Sequence, residues 1–221
     1  MFSRRKKGSD GADVEAAADE GAIDEAADEQ SRPPLGPRDA ADVRDDGVDR
    51  VDLGGLQLAP SEGVELRLQA DQTTGAVQSV MLAMAGSALE LRVFAAPKSG
   101  GLWDEVRREI VAEATKQGGT ATESDGPHGT ELRLQVPVKA SDGTTGRQQT
   151  RIVGVEGPRW FLRGTYLGRA AAEPDPDGPL ERAFRDVVVV RGQQAMPPRE
   201  ALPLHLPPDA RPRHPEANGS A

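Results

Sequence analysis

The sequence predicts an α+β fold: a single antiparallel sheet of about seven strands, with one long and one short helix packed on it. Three observations predict it. Between residues 51 and 167 apolar and polar residues mostly alternate, which is the period of half-buried strands. That period breaks where Leu102, Val106, Ile110 and Ala114 recur at the i, i+4 spacing of a helix. A second, shorter helical face, Leu180, Ala183, Phe184 and Val187, closes the patterned region.

Val51 and Leu53, then Leu56 and Leu58, read as a short strand interrupted at Gly54-Gly55, a bulge position. Val64, Leu66 and Leu68 alternate with Glu65, Arg67 and Gln69 in a second strand. Asp71 to Gly75 carries hairpin-turn chemistry and leads into a strand over residues 76–83. After a turn at Gly86-Ser87, Leu89, Leu91 and Val93 alternate with Glu90 and Arg92, so three consecutive antiparallel strands are expected. The long helix spans residues 101–118. Asp104 and Glu105 in its first turn complement the positive end of the macrodipole, Lys116 suits the other end, and Gly118-Gly119 stop it. Strands resume over residues 130–138, with Leu132, Leu134 and Val136 on one side, and a polar loop follows at 140–146. Residues 147–155 and 159–167 form a hairpin around Glu156-Gly157-Pro158. Pro179 sits where a first helical turn accepts proline, and a last strand covers residues 188–190.

Both ends have compositions that do not build a core. Residues 1–45 form a basic-then-acidic tail, expected to be disordered because it has too little apolar surface to offset the entropy of ordering. It begins with Arg4, Arg5, Lys6 and Lys7, and then carries Asp10, Asp13, Glu15, Asp19, Glu20, Asp24, Glu25, Asp28 and Glu29 without a Lys or Arg among them. Those carboxylates equal the whole net charge of −9, so the acidity belongs to the tail and the remainder balances. Residues 196–221 form a second tail in which Pro197, Pro198, Pro203, Pro207, Pro208, Pro212 and Pro215 favour an extended, disordered chain. Leu202, Leu204 and Leu206 alternate between these prolines, as in an arm laid against a domain. The expected α+β domain covers residues 46–195.

The chain has no cysteine, which excludes disulfides, thiolate metal sites and cysteine nucleophiles and fits a reducing compartment. The cationic start is not followed by the apolar stretch of a secretory signal, and no run approaches the roughly 20 apolar residues of a membrane span. A cytoplasmic location is expected.

No residues assemble into a recognisable catalytic, cofactor or metal site. His128 lies in the turn Asp125 to Gly129, while His205 and His214 lie in the proline-rich tail, without ligand spacing. The serines lack a GxSxG context, and the acid pairs Asp104-Glu105 and Glu123/Asp125 read as helix and surface charges. Lys98-Ser99-Gly100-Gly101 precedes a helix but lacks the P-loop pattern, so it reads as a helix-entry turn.

Two places stand out as an interaction surface. In a strand over residues 159–166, Trp160, Leu162 and Tyr166 share a face with Gly164, while Arg159, Phe161, Arg163 and Thr165 share the other. Two packings fit this pattern. One sets the first face beneath the long helix and turns an Arg–aromatic–Arg surface outward, toward an acidic peptide or a nucleic acid. The other packs both faces, with the arginine stems covering apolar area. Trp103, at the start of the long helix, either packs at the sheet edge or serves as an exposed partner anchor.

The start MFSRRKK, the stretch GPRWFLRGTYLG at residues 157–168 and the ending FRDVVVVRG at 184–192 resemble an uncharacterised actinobacterial family, domain-of-unknown-function family 3710. The resemblance implies a bacterial, cytoplasmic protein and brings no catalytic residues. A looser topological likeness, in the order strands, long helix, strands, tryptophan-bearing hairpin and final helix–strand, is to PsbP-like folds. Those are antiparallel sheets sandwiched by helices and used as binding or accessory modules.

The expected function is accordingly that of a non-enzymatic binding or accessory module engaging a protein partner, with no cofactor. The alternative is a nucleic-acid or anionic-surface binder using Arg4, Arg5, Lys6, Lys7 and the Arg159, Phe161, Arg163 strand face, which the net charge of −9 disfavours.

Overall fold

A computed structural model describes residues 36–44, 46–139 and 143–207. The chain divides into two units, residues 1–34 and 35–221, and every described residue belongs to the second. Residues 1–35 and 208–221, on which most of the two expected tails fall, lie outside the described residues.

In chain order the elements are β1 (Arg38–Asp39), β2 (Val51–Asp52), β3 (Leu56–Leu58), β4 (Glu65–Ala70), β5 (Val77–Met84), β6 (Ser87–Ala95), α1 (Leu102–Lys116), β7 (Thr120–Gly126), β8 (Gly129–Lys139), β9 (Thr145–Gly157), β10 (Trp160–Gly168), α2 (Arg169–Ala172), α3 (Pro179–Arg185) and β11 (Val188–Val189). The α+β class holds, but the strands form two sheets where one was expected. A seven-stranded sheet runs in the order β4-β5-β6-β10-β9-β8-β7, and a four-stranded sheet in the order β1-β11-β3-β2.

The large sheet is antiparallel throughout. It is two meanders joined by α1: β4 to β6 run consecutively, α1 carries the chain away, and β7 to β10 return so that β10 closes against β6. In the small sheet β1 runs parallel to β11, which pairs antiparallel with β3, and β3 pairs with β2. Leu56, Leu58, Val188 and Val189 are all buried, so these short strands act as a lid of apolar side chains on the large sheet.

β7 was not expected. Its sequence, TATESDG, has no apolar alternation, and it forms as an edge strand held on one side by β8. The expected long helix is present, with its stop at Gly118 in the left-handed region (φ 73°). The short helix starts at Pro179 as expected.

Each face of the large sheet carries its own core. On one face Leu89, Leu91, Leu162, Tyr166 and Trp160 meet the small sheet and Phe184 of α3. On the other, Leu102, Trp103 and Ala114 of α1 meet Leu132, Leu134, Ile152 and Phe161. The long helix therefore covers the Phe161 face, whereas Trp160, Leu162 and Tyr166 lie beneath the small sheet and α3. Burying each such leucine or aromatic side chain contributes about 1.5–3 kcal/mol.

The folded body extends beyond residues 46–195 on both sides. Trp160 Nε1 donates to Asp39 Oδ2 at 2.7 Å, tying β1 to β10. At the other end residues 199–205 run as an arm along β6 and the loop before β3. Arg199 N–H donates to Ala95 O (2.8 Å), Ala95 N–H to Glu200 O (2.8 Å), Leu202 N–H to Val93 O (3.0 Å) and His205 N–H to Leu53 O (3.0 Å). Leu202 and Leu204 are buried while Leu206 is exposed. The arm thus satisfies backbone groups of β6 near Val93 and Ala95, and its prolines leave the bonded donors in place.

Candidate interaction face

Arg4, Arg5, Lys6 and Lys7 lie outside the described residues. The other four candidate residues do not share one exposed surface. Trp103 and Phe161 are buried and stack on each other with ring centroids 5.7 Å apart. The indole Nε1 of Trp103 donates to Thr130 O at 2.8 Å, and Arg107 lies over the ring, 5.7 Å from its centroid. Gly154 makes room for this indole: a Cβ there would lie 2.3 Å from Trp103 Cδ2. Both aromatic residues are core anchors, because α1 settles on their face of the sheet.

Arg159 is a turn residue. It follows Pro158 in the β9–β10 hairpin with φ of 65°, where glycine or asparagine is the usual occupant. Its carbonyl accepts from Ala96 N–H and from Nε of the buried Arg191, both at 2.9 Å. Backbone bonding on both sides holds the unfavourable conformation in place.

Arg163 lies where the cover of α1 ends. Its cross-strand partners are Gly154 on β9, beneath the Trp103 indole, and Arg92 on β6. Like charges directly opposite each other on a sheet are destabilising. Arg92 Nε donates to Glu90 Oε1 at 3.0 Å. Arg163 has no acceptor among the described residues: its Nε is buried without a partner, and its guanidinium lies 5.9 Å from the Phe94 ring centroid. Burial, reinforced by the charge of Arg92 and opposed by that of Glu90, pulls its pKa below the ordinary arginine value.

Beyond Arg163 this face is open. In register across the strands lie Thr165, Glu90, Met81 and Arg67, and beside them Leu167, Ala88, Ala83 and Glu65. All are half-buried or exposed, whereas their chain neighbours Leu82, Leu89, Leu91 and Tyr166 on the opposite face are buried. The covering helix instead makes its main contacts with β7, β8 and β9.

A second polar cluster lies inside the opposite core. Arg151 of β9 is 2% exposed and pairs with Glu131 of β8 at 3.2 Å and with Glu181 of α3. Tyr166 donates to Glu181 Oε2 at 3.0 Å, and the Arg151 guanidinium stacks 4.0 Å from the tyrosine ring centroid. Arg133 reaches Glu131 from the surface at 3.0 Å. Burial raises the Tyr166 pKa above the ordinary tyrosine range. A cavity of about 300 Å³ opens beside this cluster, lined by Tyr166, Glu181, Ser87, Met84 and the α2–α3 loop. Every carboxylate oxygen of the buried glutamates meets a donor, while Arg151 Nε is buried without a hydrogen-bond partner, and the cluster is an ion network joining α3 to the large sheet.

The N-terminus of α1 is likewise occupied from within. Glu156 Oε2 accepts Gly101 N–H at 2.9 Å and Oε1 accepts Trp103 N–H at 3.0 Å. The turn Lys98 to Gly101 thus does cradle a carboxylate, and it is the chain's own. His128 packs edge-on against Phe184, 5.0 Å between centroids. Among the described residues no three His, Cys, Asp or Glu side chains cluster as metal ligands do.

Sequence reasoning found Arg163 and missed Arg92, because the alternation of β6 and β10 does not reveal that the two strands are neighbours. It also missed Glu131, Arg151 and Glu181. Charges at single inward positions of otherwise exposed-looking strands were the available signal.

Fold and site together define an α+β protein built on a large antiparallel sheet with one half-covered face. The model of a family of proteins of unknown function (DUF3710) matches residues 36–213, and the chain belongs to that family. No curated protein matches the chain. Among the described residues no helix is long and apolar enough to cross a membrane.

Proposed function

We propose that the chain is a non-enzymatic binding module that engages a protein partner through the open half of its large sheet. The observation that carries the reading is Arg163, a half-buried guanidinium opposite a second arginine and without an acceptor. Desolvating a charge without a partner is costly, and stability alone would favour an apolar residue there. A partner that completes its hydrogen bonds accounts for an arginine in this place. The neighbouring face mixes half-buried apolar groups, Met81, Ala83, Ala88 and Leu167, with charges, as protein-binding surfaces do. The likeness to PsbP-like accessory modules points the same way. The module belongs, on this reading, to the cytoplasm of an actinobacterial cell, where a cysteine-free chain meets a reducing environment.

A photo-reactive amino acid at Thr165 in the full-length chain, expressed in its native host, tests the reading. A discrete cross-linked protein is expected from Thr165 and not from an identical probe at Gln148, on the exposed end of β9. No adduct, or the same adducts from both positions, would discard the open face as a partner site. Nucleic acid recovered in place of protein would favour the second reading, a binder of anionic polymers. The same arginine pair supports that reading, and the net charge of −9 opposes it.

A further inference from the structure

We propose that Arg92 and Arg163 together form a carboxylate-binding site that takes an aspartate or glutamate side chain from an extended acidic peptide. The inference rests on the open face being a partner site and names the chemistry of the partner. The two residues are direct cross-strand partners on β6 and β10, so their side chains rise together from adjacent strands. Arg163 Nε is buried, while its terminal nitrogens reach the surface without an acceptor among the described residues. That leaves a planar donor fork whose terminal nitrogens have no acceptor among the described residues, the group that receives a carboxylate through two parallel hydrogen bonds. The Phe94 ring beneath the guanidinium restricts its motion, and the Trp103 indole over Gly154 bounds the site on the α1 side.

The rest of the face decides which anion fits. Arg67 is paired with Glu65 at 2.7 Å and Arg92 with Glu90, whose charge also acts on Arg163, so the donors without an acceptor are concentrated at Arg163 rather than spread along a track. A nucleic acid, whose affinity grows with the number of phosphates neutralised, finds one strong contact here, with the acidic Glu90 and Glu65 further along the face. A peptide carboxylate needs only the Arg163 fork and the Arg92 beside it. Thr165 beside the pair, and Ala88 and Ala83 two rows from it, are short enough to let a peptide backbone lie against the sheet.

The test is fluorescence anisotropy with the full-length chain and a labelled synthetic peptide of alternating glutamate and glycine. The controls are its glutamine counterpart, a single-stranded DNA of equal charge, and inorganic phosphate as competitor. Saturable binding of the glutamate peptide is expected, at least about tenfold tighter than of the glutamine peptide. Arg163→Gln and Arg92→Gln should each weaken it about tenfold, while Arg67→Gln, on the same face but on β4, two strands away from Arg92, should change it less than about twofold. Phosphate should compete only weakly. Equal affinity in Arg163→Gln, or glutamine and glutamate peptides binding alike, would overturn the site. So would DNA binding tighter than the peptide, or phosphate displacing the peptide at concentrations near those of the protein. Circular dichroism checks that each variant is folded. Should Arg163→Gln misfold, Arg163→Lys and Arg92→Gln carry the test, the lysine losing the fork while keeping the charge. A Thr165 cross-link that survives both glutamine substitutions would leave the face as a partner site and end the carboxylate proposal alone. Peptide binding without any cross-linked partner would do the reverse.

Discussion

At the scale of single residues, the two most constrained positions sit side by side on the same row of the sheet. Gly154 has no room for a methyl group, because the Trp103 ring occupies the place where a Cβ would stand, 2.3 Å away. Gly154→Ala must therefore push the indole off Phe161 and away from the Thr130 carbonyl. A loss of about 1–3 kcal/mol is expected from overpacking, read as a lower urea midpoint with altered tryptophan fluorescence. Unchanged stability would show that the indole has another place to go. Arg163 is the opposite case, since it costs stability and holds a charge ready. Arg163→Leu should raise stability by about 1 kcal/mol, a melting shift of a few degrees, while abolishing peptide binding. A destabilised Arg163→Leu would mean that the guanidinium already has its partner within the fold. Gly154 was not visible as special in the sequence. Arg163 was singled out for its aromatic neighbours, but Phe161 proved to be core, and its relation to Arg92 and Gly154 depends on strands that are not adjacent in the chain.

At the scale of elements, α1 was legible from the sequence and its attachment was not. Spacing at Leu102, Val106, Ile110 and Ala114, acids in the first turn and the glycine stop are all local signals, and each is present in the helix. What holds the first turn is distant. Gly101 offers no side chain, and Glu156 of β9 caps the N-terminus through both carboxylate oxygens. Arg199 of the C-terminal arm bridges Glu105 and Glu109 along the helix at 2.9 and 2.8 Å, an exposed contact of little energetic weight. Glu156→Ala removes the cap and leaves two N–H groups without their acceptor. It should cost about 1–2 kcal/mol, with Glu156→Gln retaining part of that through its amide oxygen. Equilibrium unfolding followed by far-ultraviolet circular dichroism measures both, and equal stability of Glu156→Ala and wild type would show that water caps this helix as well as the carboxylate does. β7 escaped notice for a complementary reason. A strand paired on one side, with little buried on either face, needs no apolar alternation, and TATESDG has none. Strands near residues 51–58 and 188–190 were expected, but not their separation into a second sheet, because pairing between β3 and β11 joins segments far apart in the chain.

At the scale of the whole molecule, the large sheet separates two cores, and the one beneath the small sheet is fastened by charges. Glu131, Arg151 and Glu181 join β8, β9 and α3, with Tyr166 closing the ring from β10. The sequence showed the alternation that builds both cores, but it could not place opposite charges in register, since Arg151 meets Glu181 only after the chain has crossed the sheet and returned through α3. Tyr166 makes the network's integrity measurable, because it is the chain's one tyrosine. Burial raises its pKa, and the charge of Glu131 adds to the effect while Arg151 opposes it. The folded protein therefore keeps the phenol protonated at pH values where the unfolded chain, near the ordinary value of about 10, has released the proton. Above that pH the unfolded state binds fewer protons, so stability declines as pH rises, by up to about 1.4 kcal/mol per unit from this group. Below it the phenol is protonated in both states and adds no slope. In an alkaline titration, tyrosinate absorbance should accordingly stay flat through the ordinary tyrosine range. It should then rise together with the loss of far-ultraviolet circular dichroism, since ionisation requires the fold to open. Tyr166→Phe loses the hydrogen bond to Glu181 and is less stable near neutral pH, but its alkaline slope should be shallower than that of wild type. Tyrosinate appearing near pH 10 with the circular dichroism intact would show instead that the phenol is open to solvent, and with it the ring of charges that fastens α3 to the sheet.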